Sequence, residues 1–149
     1  MHSFVFKRQP KSFNSGFKSI AAKEIYKENV RASFLKYNAI ETLYSEDLYG
    51  VVYYFYKINA GTDADNISKF FWDILKGVVF NDDHQVKLRI AGHIDISKGD
   101  FNVIDFSNLK GEMTAELIQA MENNDHVVYV ECGKLNNSMY KFNLSSDGN

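Results

Sequence analysis

Ile67, Phe70, Phe71, Ile74 and Leu75 recur at i, i+3, i+4, i+7 and i+8, the spacing of one apolar helical face. Gly77 follows where a C-terminal stop belongs, and Asp65, Lys69, Asp73 and Lys76 share the opposite face. On both sides of this helix the pattern changes. Residues 47–58 are β-branched and aromatic, which predicts an internal strand. Val78-Val79-Phe80 reads as a short extended piece running into a turn at Asn81-Asp82-Asp83. Residues 84–96 then alternate, with Val86, Leu88 and Ile90 pointing one way and Gln85, Lys87 and Arg89 the other.

The rest of the chain extends the alternation of element types. Phe4 and Phe6 predict a first strand, and Pro10 opens a polar turn through Asn14. Residues 17–37 read as a helix that buries Phe17, Ile20, Ala21, Ile25 and Phe34. Residues 97–112 read as irregular. Thr114 to Asn123 is expected as a helix with Leu117, Ile118 and Met121 inside, Val127 to Glu131 as a strand, Met139 to Leu144 as another, and Ser145 to Asn149 as a loose tail. The order β-α-β-α-β-α-β predicts an α+β fold: one small domain over residues 1–149, with a mixed β-sheet packed by two to three helices. Residues 133–149 read as a C-terminal extension.

A chain of 149 residues can bury a real core. Its longest apolar run, Leu48 to Tyr56, is too short for a bilayer, so no membrane partner is expected. The start lacks the apolar core and cleavage site of a secretory signal, and the one cysteine, Cys132, cannot form an internal disulfide. These features predict a cytoplasmic protein. Four scattered histidines and one cysteine give no zinc spacing. Net charge is −2, but it is unevenly spread: residues 1–40 hold eight bases against two acids, a net +6, leaving −8 on the remainder. A basic N-terminal third suits phosphates, and an acidic remainder suits a cation. A solvated helix face explains the same bases.

Asp63 and Asp65 stand two apart, Lys69 follows one helical turn after Asp65, and Asp83 returns after the helix. In an extended lead-in, period-two geometry sets Asp63 and Asp65 on one side. Three carboxylates in contact repel by roughly 4 kcal/mol per close pair at an effective dielectric of about 20, so a converged cluster wants a cation. All-oxygen ligation selects Mg²⁺, or Mn²⁺, over zinc. Such an ion activates water for phosphodiester hydrolysis, with Lys69 as a further positive charge near the scissile phosphate. Each acid also has a plain explanation. Asp63 or Asp65 can cap the helix, Lys69 can pair with Asp65, and Asp82-Asp83 can be turn residues. An EF-hand loop is excluded, because Ile67 and Ser68 occupy positions that need an oxygen ligand and a glycine. Asn66 is expected to orient Asp83. His84 and His93 read as surface or strand residues.

The run Asp63-Ala64-Asp65-Asn66-Ile67-Ser68-Lys69, then Asp73-Ile74-Leu75-Lys76-Gly77, then Asp82-Asp83-His84-Gln85-Val86, resembles the central block of the RusA family of Holliday junction resolvases. That block reads Asp-x-Asp-Asn-x-x-Lys, Asp-x-Leu-x-Gly and Asp-Asp-x-Gln-Val. Gln9 to Asn14 is similar to the family's first-strand turn, and Asp125 to Glu131 to its final strand. The resemblance implies a homodimer that binds a four-way DNA junction and nicks two opposed strands with Mg²⁺, in recombination and repair. It implies Asp63, Asp65 and Asp83 as metal ligands and Lys69 as the catalytic lysine. Asn66, Asp73 and Asp82 stand beside them in supporting roles. Lys7, Arg8, Lys11, Lys18, Lys87 and Arg89 are the candidate phosphate-holding bases. Small resolvases of this kind are often carried by phages and prophages. A less selective branched-DNA nuclease and a non-catalytic DNA-structure-binding protein remain as alternatives.

Overall fold

The computed structural model describes residues 1–12, 14–40, 42–99, 101 and 104–142. Among them, four strands form one mixed sheet: β1 (His2–Phe6), β2 (Leu48–Tyr56), β3 (Val86–Asp95) and β4 (His126–Lys134). Their spatial order is β1-β4-β2-β3. β4 pairs antiparallel with both β1 and β2, whereas β2 and β3 run parallel. The α-helices among the described residues connect the strands: α1 (Ile20–Tyr37), α2 (Ala64–Leu75) and α3 (Gly111–Asn123). The α+β class, the mixed sheet and the alternating order match expectation. Among the described residues, no helix is long and apolar enough to cross a membrane.

Two apolar layers flank the sheet. On one face α1 and α2 pack Val30, Phe34, Phe70, Phe71, Trp72 and Ile74 over Phe4, Phe6, Val52 and Val130. On the other, α3 sets Leu117, Ala120 and Met121 against Val5, Phe55, Val127 and Tyr129. Strand residues of alternating parity feed the two layers, as the pleat requires. Helix α2 seats closely on β2, where Gly50 lies under the Trp72 ring: a Cβ at position 50 would fall 2.4 Å from Trp72 Cζ2. The indole N–H donates to Ser68 Oγ at 2.9 Å, one turn back on the same buried face.

The structure corrects what the sequence suggests for α1 and for β3. In α1, Ile20 is 84% exposed and Ile25 63%, and Ala21 is exposed too. The buried row is Tyr26, Val30 and Phe34. The helix carries two apolar rows, and the one with rings wins because it continues an aromatic layer. Tyr26 stacks on Phe70 with centroids 5.8 Å apart, and Phe34 meets Phe4 edge-on at 5.6 Å. In β3 the side-chain alternation breaks at its start. Leu48 pairs with Val86 but Tyr49 pairs with Leu88, a bulge at Lys87. Val86 therefore joins the α2 side, Leu88 and Ile90 fall on the α3 side, and Arg89, opposite Gly50, comes up beside α2.

Residues 78–80 form a turn with isolated bridges from Phe80 to Tyr44 and Lys76 rather than an extended piece. β4 runs on to Lys134, so the first residues of the expected extension belong to the sheet. The strand expected over 139–144 is not found among its described residues, where Asn137–Met139 is a single 3-10 turn. Residues 143–144 and the expected tail at 145–149 lie outside the described residues.

Candidate functional site

Helix α2 begins where the chain turns back from β2. Asp63 occupies the N-cap position, with extended backbone (φ −68°, ψ 146°), and its side chain makes no capping bond. That carboxylate is exposed and not used to hold the helix together. Asp65 is in the first turn, where its charge is favourable against the helix dipole. Asp63 is thus extended and Asp65 already helical, so the two acids straddle a helix start and do not both lie on an extended segment. The amphipathic pattern fixes the remaining turns of the helix. With Ile67, Phe70, Phe71, Ile74 and Leu75 all buried, Asp65, Lys69 and Lys76 are exposed and Asp73 is half-buried on the outer face.

The second part of the site is the turn before β3. A 3-10 turn spans Asp83–Gln85, capped by Asp82, whose Oδ1 accepts from the His84 backbone N–H at 3.0 Å. Gln85 closes the cap from the other side. Its Oε1 accepts from the backbone N–H groups of Asn81 and Asp82 at 2.9 and 3.0 Å, and its Nε2 donates to the carbonyls of Tyr44 and Glu46. The Asp-Asp-x-Gln-Val run thus has a mechanical logic: the first acid and the glutamine fold the turn, and the second acid is carried on it.

Both acids of the turn hold cations. Asp82 Oδ2 accepts from Lys76 Nζ at 2.7 Å, and that bond holds the Asp82 carboxyl down at about 2. Asp83 Oδ2 accepts from Arg89 Nη2 at 3.2 Å, while the Asp83 carbonyl accepts from the same nitrogen at 2.7 Å. Arg89 Nε also donates to the Val86 carbonyl at 3.1 Å. Asp73 is pushed upward, first by burial and then by the charge of Asp83, with Lys69, Arg89 and Lys76 opposing the shift. The charge of Asp83 is thus felt at Asp73 across the seam between α2 and the turn.

The helix and strand contributions meet in a hollow of about 290 Å³ lined by Asp65, Asn66, Ser68, Lys69, Arg89 and Ala91. This hollow joins Asp65 and Lys69 to Arg89, and through Arg89 to Asp83. It does not gather the expected trio. Among the described residues, the group of three metal-capable side chains with ligand atoms within 4.8 Å of one another is Asp82, Asp83 and His84. Asp63, Asp65 and Asp83 are not within that limit of one another, and the Asp83 carboxylate is bonded to Arg89 instead. Asn66 lines the hollow without a hydrogen bond to Asp83. His84 is 89% exposed at its side chain, with Nδ1 3.7 Å from Asp82 Oδ1. By donor chemistry, the carboxylate oxygens of this region fit a hard divalent cation.

The remaining bases divide by what they already hold. Lys7 Nζ is 2.6 Å from Glu116, which also accepts from the Tyr37 hydroxyl, so this lysine ties the end of β1 to α3. Arg8, Lys18 and Lys87 are exposed, and Lys11 is half-buried. Sequence reasoning placed Arg89 only as a phosphate-holding base. Its grip on Asp83 became visible only once the bulge at Lys87 had rotated it towards α2.

Residues 20–99 match the family described as Endodeoxyribonuclease RusA. The match takes in α1, β2, α2, the Asp83–Gln85 turn and β3, and so every candidate site residue except Lys7, Arg8, Lys11 and Lys18. A search of curated proteins finds no significant match.

Proposed function

Since the chain belongs to the RusA endodeoxyribonuclease family, we propose that it is a Mg²⁺-dependent endonuclease that resolves four-way DNA junctions by paired, symmetric nicking. Asp63, Asp65 and Asp83 are the carboxylates that would hold the ion, which requires the Asp83 carboxylate to leave Arg89. When bound, the ion polarises the scissile phosphate and lowers the pKa of an attacking water. Lys69, in the wall of the hollow, sets its ammonium against charge developing on the phosphate. Two copies related by a two-fold axis match the two-fold symmetry of a four-way junction, so a homodimer presents one site to each of two opposed strands. Recombination and repair in the cytoplasm, including those of phages and prophages, are the settings in which such a substrate arises.

The observation that carries this proposal is the shared hollow of Asp65, Lys69 and Arg89, with Arg89 in turn holding Asp83. A purified-protein assay on a synthetic four-way junction tests it. Paired nicks are expected with Mg²⁺ and none with EDTA, and a panel of forks, flaps and plain duplex separates a junction resolvase from a less selective nuclease. The separation of Asp63 and Asp65 from Asp83 favours one rival, a protein that binds branched DNA without turnover. Tight junction binding in EDTA with no cleavage in Mg²⁺ or Mn²⁺ would establish that rival.

A further inference from the structure

We infer that Arg89 is a phosphate-binding residue of this site whose availability is governed by the charge on Asp83. The inference rests on the nuclease proposal and adds to it a coupling between the acid that would hold metal and the base that would hold DNA.

The hydrogen bonds of the guanidinium fall into two groups. A guanidinium carries five N–H donors. Nε donates to the Val86 carbonyl and Nη2 to the Asp83 carbonyl. Both acceptors are backbone atoms, so these bonds hold Arg89 to the turn whatever the state of any side chain. The third bond, Nη2 to Asp83 Oδ2, is the longest at 3.2 Å and the only one to a titratable, metal-capable group. The two N–H groups of Nη1 carry no hydrogen bond among the described residues. Arg89 is also part of the wall of the hollow shared with Asp65 and Lys69.

The rigid part of this arrangement is therefore the anchor, and the exchangeable part is the carboxylate bond. A cation that draws the Asp83 carboxylate away leaves the guanidinium anchored to the turn. It then has a free edge beside Lys69 and one positive charge no longer neutralised. A planar guanidinium fixed in this way suits the two oxygens of a phosphodiester, where an ammonium would act only as a point charge. With Asp83 holding it, the same arginine is partly neutralised and DNA affinity is lower.

A double-mutant cycle on DNA binding in EDTA tests this without metal or turnover. Dissociation constants for a synthetic four-way junction are measured at one salt concentration for the unsubstituted protein, Asp83→Asn, Arg89→Gln and the double variant. Asp83→Asn is expected to tighten binding about fivefold when Arg89 is present and less than about twofold when it is Gln. Equal gains in the two backgrounds overturn the coupling, because removing a negative charge near DNA would then explain the whole effect. In Ca²⁺, Arg89→Gln is expected to weaken junction binding about tenfold, more than it does in EDTA. Should Arg89→Gln loosen the turn, as a shift in thermal midpoint would reveal, Arg89→Lys carries the same cycle. It keeps the charge and loses the fork, and undiminished coupling in that variant overturns the role of the fork. Junction binding without coupling removes Arg89 from this role and leaves the nuclease proposal standing. Failure of the unsubstituted protein to bind a junction removes both.

Discussion

Trp72 lies directly over Gly50, so close that a methyl group at position 50 would overlap the indole. This contact sets the depth and rotation of α2 on the sheet, and with them the outward face that carries Asp65, Lys69 and Asp73. Gly50→Ala is expected to destabilise the protein by about 1–3 kcal/mol through overpacking. Ser68→Ala is expected to cost about 1–3 kcal/mol by leaving the buried indole N–H without its acceptor. Urea denaturation measures both, and unchanged midpoints would show that the helix seats by other contacts.

The chemistry assigned to the hollow predicts that Asp65→Asn and Lys69→Ala each lower Mg²⁺-dependent junction cleavage by at least about 100-fold. Both residues are exposed and outside the apolar layers, so circular dichroism and thermal midpoint should stay close to those of the unsubstituted protein. Cleavage within about twofold of normal in either variant would remove that residue from the mechanism.

Salt dependence separates free bases from committed ones. Lys18→Ala and Lys87→Ala are each expected to reduce the slope of log affinity against log salt by about 1 if the side chain meets a phosphate. Lys7→Ala should leave that slope unchanged and lower stability instead, because Lys7 is paired with Glu116. The reverse pattern would put DNA on the β1 end of the sheet.

The Lys76–Asp82 bond gives a pH signature. Asp82 titrates at about 2 in the folded protein against an ordinary 3.8, chiefly because of the bond from Lys76. Folding is thus favoured by the ionised carboxylate. Its contribution is complete above the ordinary value and disappears as the pH falls through about 2. The effect is small because both side chains are about half exposed. Thermal midpoints of the unsubstituted protein and Lys76→Met should differ at pH 6 and converge near pH 2. A gap that persists at pH 2 would mean that Lys76 acts through packing instead.

Cys132 should be inert in the native protein. Burial pushes its thiol up to about 12, and the residue is 2% exposed within the α1/α2 layer. A thiolate-selective reagent at pH 8 should label it in urea and leave the folded protein unmodified over the same interval. Rapid native labelling would mean that β4 opens locally.

The parts of this structure that were legible in advance are those where one physical signal acts alone. Helix α2 has a single apolar row, and both its limits and its buried face derive from it. Helix α1 has two, and periodicity cannot say that Tyr26, Val30 and Phe34 outrank Ile20 and Ile25, because the choice depends on rings supplied by β1 and α2. The bulge at Lys87 was hidden for a related reason: Val86, Leu88 and Ile90 alternate cleanly, and only pairing with β2 shows that the phase slips. At the candidate site, spacing singled out Asp65, Lys69 and Asp83, and the structure sets Asp65 and Lys69 in one hollow with Arg89, which holds Asp83. The partners that now hold Asp82 and Asp83 were not readable from spacing, since Lys76 and Arg89 reach them across a turn whose shape is set by Gln85.

The strand order has a consequence for how this chain is made. β4 leaves the ribosome after β1, β2 and β3, yet it lies between β1 and β2. Until residues 126–134 emerge, β1 has no neighbour in the sheet, and the apolar faces of α1 and α2 have only half a floor. The segment that carries the family match, residues 20–99, lacks both β1 and β4. Expressed alone it would present an open sheet edge and uncovered rings, and would be expected to aggregate instead of yielding a minimal nuclease.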